Sequence, residues 1–211
     1  MVRKTHPAHC GWRVEYILYP HPSLCVNIKA ILINTIDNFV CIWIKLLMSD
    51  LFKLSERLGA LLLARGQWLA VAESCTGGWV AKCLTDVPGS SQWFDRGFVT
   101  YSNAAKQDML GVTPATLQQH GAVSEATVAA MAAGVLAHSR AALALAVSGI
   151  AGPGGAVPGK PVGTVCFAWA GRQGTRRIET RRFAGDREQV RRAAVIHGIT
   201  GLIELVGNTD A

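Results

Sequence analysis

A serine that acts as a nucleophile needs a base to take its proton and donors to hold the oxyanion that forms. The stretch Ala72-Glu-Ser-Cys-Thr-Gly-Gly78 offers the second requirement by position, because an apolar run ends there and a helical pattern begins. Such a corner aims backbone N–H groups and the positive end of a helix dipole at the neighbourhood of Ser74. Gly77 and Gly78 carry no side chain to block a ligand. For the base, His120, His138 and His197 fall on or beside helical patterns, and none stands at a strand end. Lys106 is the better candidate: it follows Tyr101 by five residues, so a short helix could turn its amine back toward the serine. A lysine base must be neutral, which requires burial or nearby positive charge to bring its pKa down from about 10.4. Tyr101 could relay a proton or donate to the developing oxyanion. Without chemistry, the same residues would be a capping serine, a core-edge tyrosine and a surface lysine. Cys75 is a second candidate nucleophile, since a thiolate is intrinsically stronger, or a small buried space-filler. Glu73 either orients the lysine or the amide, or caps the local backbone.

The elements around these residues alternate regularly. Leu51, Leu54, Leu58, Leu61 and Leu62 form a helical stripe closed by Gly66. Residues 67–72 read as a buried strand, followed by a helix with Trp79, Val80, Cys83 and Leu84 on one face. Residues 94–102 read as a strand, Asn103 caps a short helix carrying Lys106, and a second short helix runs from Pro114 to Gly121. Residues 124–140 form a longer helix and residues 142–148 an apolar strand, before a glycine- and proline-rich loop to Pro161. Residues 163–170 and 175–183 form a hairpin around residues 171–174, and Asp186 caps a final helix. The order implies an α/β fold, a three-layer α/β/α sandwich with a mostly parallel central sheet and an antiparallel edge hairpin. Ligands gather beyond the carboxyl ends of strands in such sheets. That rule collects Ser74, Tyr101, Ser102 and the loop after Ser148 into one crevice.

Composition bounds the rest. The 211 residues suffice for one domain with a full core. Residues 1–47 read as a disordered or loosely packed leader, and residues 48–211 as the working domain opening at Met48-Ser49-Asp50. The apolar run from Leu24 to Met48 is a poor membrane span, since Asn34, Asp37 and Asn38 would lie near its middle. The six cysteines lack the spacing of a zinc site or a disulfide scaffold, which suits a reducing cytoplasm. Of the net charge of +7, residues 171–192 contribute +5, through Arg172, Arg176, Arg177, Arg181, Arg182, Arg187, Arg191 and Arg192. That cluster is either a phosphate- or nucleic-acid-binding surface or a solvated strand edge and helix face.

Several collinear motifs carry a resemblance: Ala72 to Gly78, Gly97-Phe-Val-Thr-Tyr-Ser-Asn103 with Lys106, His120-Gly-Ala-Val-Ser-Glu125, Ser148-Gly-Ile-Ala-Gly-Pro153, Lys160-Pro-Val-Gly-Thr164 and Gly185-Asp-Arg187. Together they resemble the CinA carboxy-terminal domain family, in order from about Met48 to Val206. The resemblance implies a stand-alone nicotinamide-nucleotide amidase of pyridine nucleotide recycling, because residues 1–47 are too short for the amino-terminal pyrophosphatase domain of larger members. Such an enzyme hydrolyses the carboxamide of nicotinamide mononucleotide to nicotinate mononucleotide and ammonia. It implies Ser74 as nucleophile, Lys106 as general base and Tyr101 completing the proton path, with backbone N–H groups among Cys75, Thr76, Gly77 and Gly78 holding the oxyanion. Ser102, Asn103, Ser148, Gly149, Gly152 and Arg187 are expected to contact substrate, with Arg191 nearly as suited to the phosphate. No metal or cofactor is implied. The expected partner is a small nucleotide, with no membrane or nucleic acid, in a cytoplasmic dimer or larger homo-oligomer. The alternative is a non-catalytic nucleotide- or nucleic-acid-binding competence-related module.

Overall fold

Three strands alternate large with small apolar residues rather than apolar with polar: Leu69-Ala70-Val71-Ala72, Leu143-Ala144-Leu145-Ala146-Val147 and Val165-Cys166-Phe167-Ala168-Trp169-Ala170. Both faces of these strands are therefore covered, and each side chain's size sets how close the covering layer lies. The computed structural model describes residues 50–172 and 176–207. The leader, the start at Met48-Ser49 and the hairpin tip fall outside them.

The chain runs α1 (residues 50–64) and then β1 (Leu69–Glu73), α2 (Trp79–Thr85), β2 (Phe94–Val99), α3 (Asn103–Leu110), α4 (Pro114–His120) and α5 (Glu125–Ala137). It continues with β3 (Leu143–Gly149), β4 (Thr164–Gly171), β5 (Arg176–Arg182) and α6 (Arg187–Gly207). The sheet order is β2-β1-β3-β4-β5. β1 pairs parallel with both β2 and β3, while β4 is antiparallel to β3 and to β5. This is the expected three-layer sandwich with an antiparallel edge. Leucine, valine, phenylalanine and tryptophan side chains of the strands pack with α1, α2 and α6. The alanines and Cys166 face the other way, against α5 and the ends of α3 and α4. After β1 the chain goes first to one neighbour and later to the other, so a crevice opens beyond the carboxyl ends of β1 and β3.

Local rules set the element ends, with two departures from expectation. The N-cap of α3 is Ser102 rather than Asn103: Ser102 is extended, and its Oγ accepts from the Ala105 N–H at 3.0 Å. β2 accordingly stops at Val99, and the Thr100 N–H makes one last ladder bond to the Glu73 carbonyl at 2.8 Å. α5 ends at Ala137 instead of running to Arg140. There Ser139 Oγ donates to the Val135 carbonyl, and the Arg172 guanidinium donates to the Leu136 and Ser139 carbonyls, closing the helix. Asp186 caps α6 as expected, in a reciprocal box with Gln189 at 2.9 Å each way. Among the described residues no helix is long and apolar enough to cross a membrane.

The approach of α5 to α3 leaves no room for a side chain at Gly134, where a Cβ would overlap the Leu110 carbonyl. Gly134→Ala is expected to destabilise the fold by about 1–3 kcal/mol through overpacking, despite alanine's better helix propensity. In urea the midpoint should fall with little change in slope.

Candidate active site

The alternation of β1 separates two neighbouring polar residues. Glu73 points into the layer of α2, and Ser74, one residue on, turns toward α3. There the Lys106 Nζ lies 3.0 Å from Ser74 Oγ and donates to the Thr100 carbonyl at 2.8 Å. Lys106 is 1% exposed, and burial pushes its pKa below the ordinary 10.5. Among the described residues no carboxylate accepts from its Nζ. With one N–H held by Thr100, a neutral amine has a lone pair left for the Ser74 hydroxyl proton. Spacing brings serine and lysine together as expected. The main-chain carbonyl of Thr100, which aims the amine, has no signature of residue type.

The corner itself differs from expectation. α2 starts only at Trp79, and its first N–H groups are not aimed at Ser74. The Glu73 carboxylate accepts from the Gly78, Val80 and Ala81 N–H groups at 2.9, 3.0 and 2.8 Å, so it caps the helix and neither orients the lysine nor touches the cavity. The Gly77 N–H is engaged too, donating to the Ser74 carbonyl at 3.1 Å. Gly77 and Gly78 are needed for backbone angles, φ +62° and +94°, and neither lines the cavity. Thr76 is wholly buried beneath the turn. Of the four expected oxyanion donors, Cys75 alone lines the cavity. Arg191, weighed for the phosphate, instead clamps this turn from α6. Its Nε donates to the Cys75 carbonyl at 3.1 Å and its Nη2 to the Thr76 carbonyl at 2.9 Å, while the guanidinium sits 5.3 Å from the Trp79 ring centroid.

A cavity of about 240 Å³ opens on the pair. Ser74, Cys75, Lys106, Ser148 and Gly149 line it together with Tyr101 and Arg187. Ala122, Val123 and Ala151 form apolar wall; they were not singled out by sequence, although they lie inside the motifs at residues 120–125 and 148–153. Tyr101, expected to complete the proton path, lines the same cavity as Ser74 and Lys106 and is bonded there to Arg187. It is 62% exposed at the mouth, and its hydroxyl accepts from Arg187 Nη2 at 2.9 Å. Arg187 also donates to the Gly152 carbonyl at 2.8 Å, so Gly152 acts by holding the arginine rather than by lining the cavity. Ser102 and Asn103 fall outside the cavity, the first spent on capping α3 and the second an exposed first residue of that helix. The Cys75 thiol is pushed up to about 12 by burial, which keeps it protonated and a poor nucleophile near neutrality.

The model of the CinA C-terminal domain family matches residues 51–206. The chain belongs to this family. The CinA domain is shared with nicotinamide-nucleotide amidohydrolase PncC of Enterobacter agglomerans, 54% identical over 159 residues that cover 75% of this chain and 97% of the relative. PncC of Pseudomonas putida is 50% identical over 159 residues, 75% of this chain and 98% of the relative. The crystal structure of competence/damage inducible protein CihA from Agrobacterium tumefaciens is 46% identical, with a TM-score of 0.73 over 74% of this chain and 95% of that one. The competence damage-inducible protein A (ComA) from Klebsiella pneumoniae subsp. pneumoniae MGH 78578 reaches 42% identity and 0.73 over 75% and 98%.

In this CinA domain the arginine cluster is divided among separate tasks. Arg172 closes α5, Arg177 and Arg181 pair with Glu179, and Arg187 and Arg191 serve the mouth and the turn. None of the three described histidines lines the cavity: His138 binds the Gly134 carbonyl, His120 ends α4, and His197 pairs with Glu179 among aromatic rings. Glu73 holds the CinA corner in shape. Glu73→Ala would orphan three N–H groups at the start of α2, those of its N-cap Gly78 and of Val80 and Ala81, at about 1–3 kcal/mol each when buried. A loss of about 3 kcal/mol or more in urea denaturation is expected, while Glu73→Gln, which keeps one acceptor oxygen, should lose less.

Proposed function

We propose that this chain hydrolyses the carboxamide of nicotinamide mononucleotide, releasing nicotinate mononucleotide and ammonia by acyl transfer through Ser74. The observation that carries the reading is the Lys106 amine, buried, depressed in pKa and 3.0 Å from Ser74 Oγ. Extensive identity to PncC relatives, over 97% of the length of one, supports taking the amidohydrolase activity in their names for this chain.

Neutral Lys106 takes the Ser74 proton as Oγ attacks the carboxamide carbon, and the carbonyl π electrons move to oxygen. The Cys75 N–H is the backbone donor best situated for that oxyanion. The Lys106 ammonium then returns its proton to the amide nitrogen, the C–N bond breaks, and ammonia leaves an ester on Ser74. Water, deprotonated by the same amine, attacks the ester and frees the acid. Thr100 keeps Nζ aimed throughout. These steps call for no metal or cofactor. The cavity is smaller than the roughly 300–1,000 Å³ of sites enclosing a whole drug-sized ligand. It therefore takes the pyridine and its amide, while ribose and phosphate run out past Tyr101 toward Arg187. Among the described residues Arg187 has no carboxylate partner, so its charge is available to a phosphate.

Incubation with nicotinamide mononucleotide should release ammonia. Ser74→Ala and Lys106→Ala should each lower kcat by about 10³-fold or more. Cys75→Ala should stay within about tenfold of the parent, as expected of a residue acting through its backbone. A dead Cys75→Ala beside an active Ser74→Ala would reverse the assignment.

The pH dependence follows from the direction of the Lys106 shift. Below its lowered pKa the amine is protonated and cannot accept, so log kcat/KM should rise with pH at unit slope and level off at a midpoint below 10.5. The unfolded chain keeps that proton up to about pH 10.4, so this group also makes stability rise with pH across the interval between its folded and unfolded pKa values. A pH–rate profile alongside denaturation at matched pH checks both.

A further inference from the structure

Ser148 stands on β3 beside the nucleophile, 1% exposed, and lines the cavity. The Ser74 N–H donates to the Val147 carbonyl at 2.9 Å, which locks that strand end against the Ser74 turn. Ser148 Oγ lies 2.7 Å from the Ala122 carbonyl oxygen. A carbonyl only accepts, so the single hydrogen of the Ser148 hydroxyl is committed to Ala122 and only lone pairs remain on Oγ. The loop holding Ala122 is itself fixed, because the Gly121 carbonyl accepts from the hydroxyls of Thr127 at 2.7 Å and Ser124 at 3.1 Å.

The other polar side chains around the cavity have different polarity. Arg187 is a donor, and Tyr101 accepts from Arg187 and so has its own hydrogen left to give. Ser74 and Lys106 are engaged with each other. Outside the Ser74–Lys106 pair, Ser148 is thus the described lining side chain whose free hydrogen-bonding capacity is purely that of an acceptor.

We infer that Ser148 is the specificity residue that distinguishes a carboxamide from a carboxylate in this cavity, by accepting a hydrogen bond from the substrate NH₂. This rests on reading the cavity as an amide-hydrolysing site, and it adds the polarity that orients the amide. The substrate nitrogen brings hydrogens to the Oγ lone pairs. The product carboxylate brings only lone pairs of its own, so it is held less well than the amide it came from. A site built around a hydrogen-bonding NH discriminates against the analogue lacking it. The same polarity turns the amide nitrogen toward Ser148 and leaves the carbonyl oxygen to the Cys75 side.

The test compares the two nucleotides by calorimetry in a Ser74→Ala background, where no turnover intervenes. Nicotinamide mononucleotide should bind about tenfold or more tightly than nicotinate mononucleotide, the scale of one net hydrogen bond. Adding Ser148→Ala should bring the ratio close to one, chiefly by weakening the amide. Adding Ser148→Thr, which keeps the hydroxyl, should preserve the ratio. A merely structural loosening of the Ala122 loop would weaken both nucleotides together and leave the ratio unchanged, and that result would overturn the inference. If the Ser74→Ala protein binds neither nucleotide while thermal denaturation shows it folded, the underlying reading of the site is lost and this inference with it.

Discussion

An amine taken out of water and given no anion to lean on is the constraint on which this molecule depends. Lys106 is surrounded by neutral polar partners, a main-chain carbonyl and a serine hydroxyl. The acidic residue next to Ser74 in the chain, Glu73, sits on the opposite face of the sheet. A carboxylate beside Nζ would hold the proton on and remove the neutral amine that the proposed mechanism requires. What prevents this is the two-residue period of β1, which sends Glu73 to α2 and Ser74 to α3. A slip of one residue in the strand would exchange them, and the three-point capping of α2 by Glu73 opposes that slip.

The block of arginines near the carboxyl terminus looks in sequence like one surface, and the periods of its elements break it up. Arg187 and Arg191, four apart on α6, share a helix face and serve different parts of the site, one at the cavity mouth and one on the far side of the Ser74 turn. Arg177 and Arg181, on one face of β5, flank Glu179 between them. Three of these arginines, Arg172, Arg187 and Arg191, fix main-chain carbonyls that a helix end, a loop and a turn would otherwise leave to water.

The fold was legible because its signals are local: apolar runs, capping residues and glycine turns mark nearly every element within a few positions. The pairing of Ser74 with Lys106 was legible from residue type and spacing, and the collinear motifs named the family. What escaped the sequence is of one kind. Thr100 aims the lysine, Gly152 holds Arg187 and Ala122 sets the polarity of Ser148, all through main-chain oxygens that any residue would supply. For Glu73 the sequence offered capping of the local backbone as one of two alternatives, and the structure decides for it, through N–H groups five to eight residues ahead. Tyr101 was placed at the right end of the right strand, but the direction of its hydroxyl depends on an arginine 86 residues away.

The unequal faces of the sheet carry an implication for how this sequence can drift. On the side of α1, α2 and α6, bulky aliphatic and aromatic groups interlock, and one can shrink while a neighbour swells. On the side of α5, the small strand residues lie against Val128, Met131 and Val135 and Gly134 meets bare backbone, so there is little slack to trade. Lineages should therefore diverge freely in volume on the first side and hardly at all on the second, whatever happens to the catalytic groups.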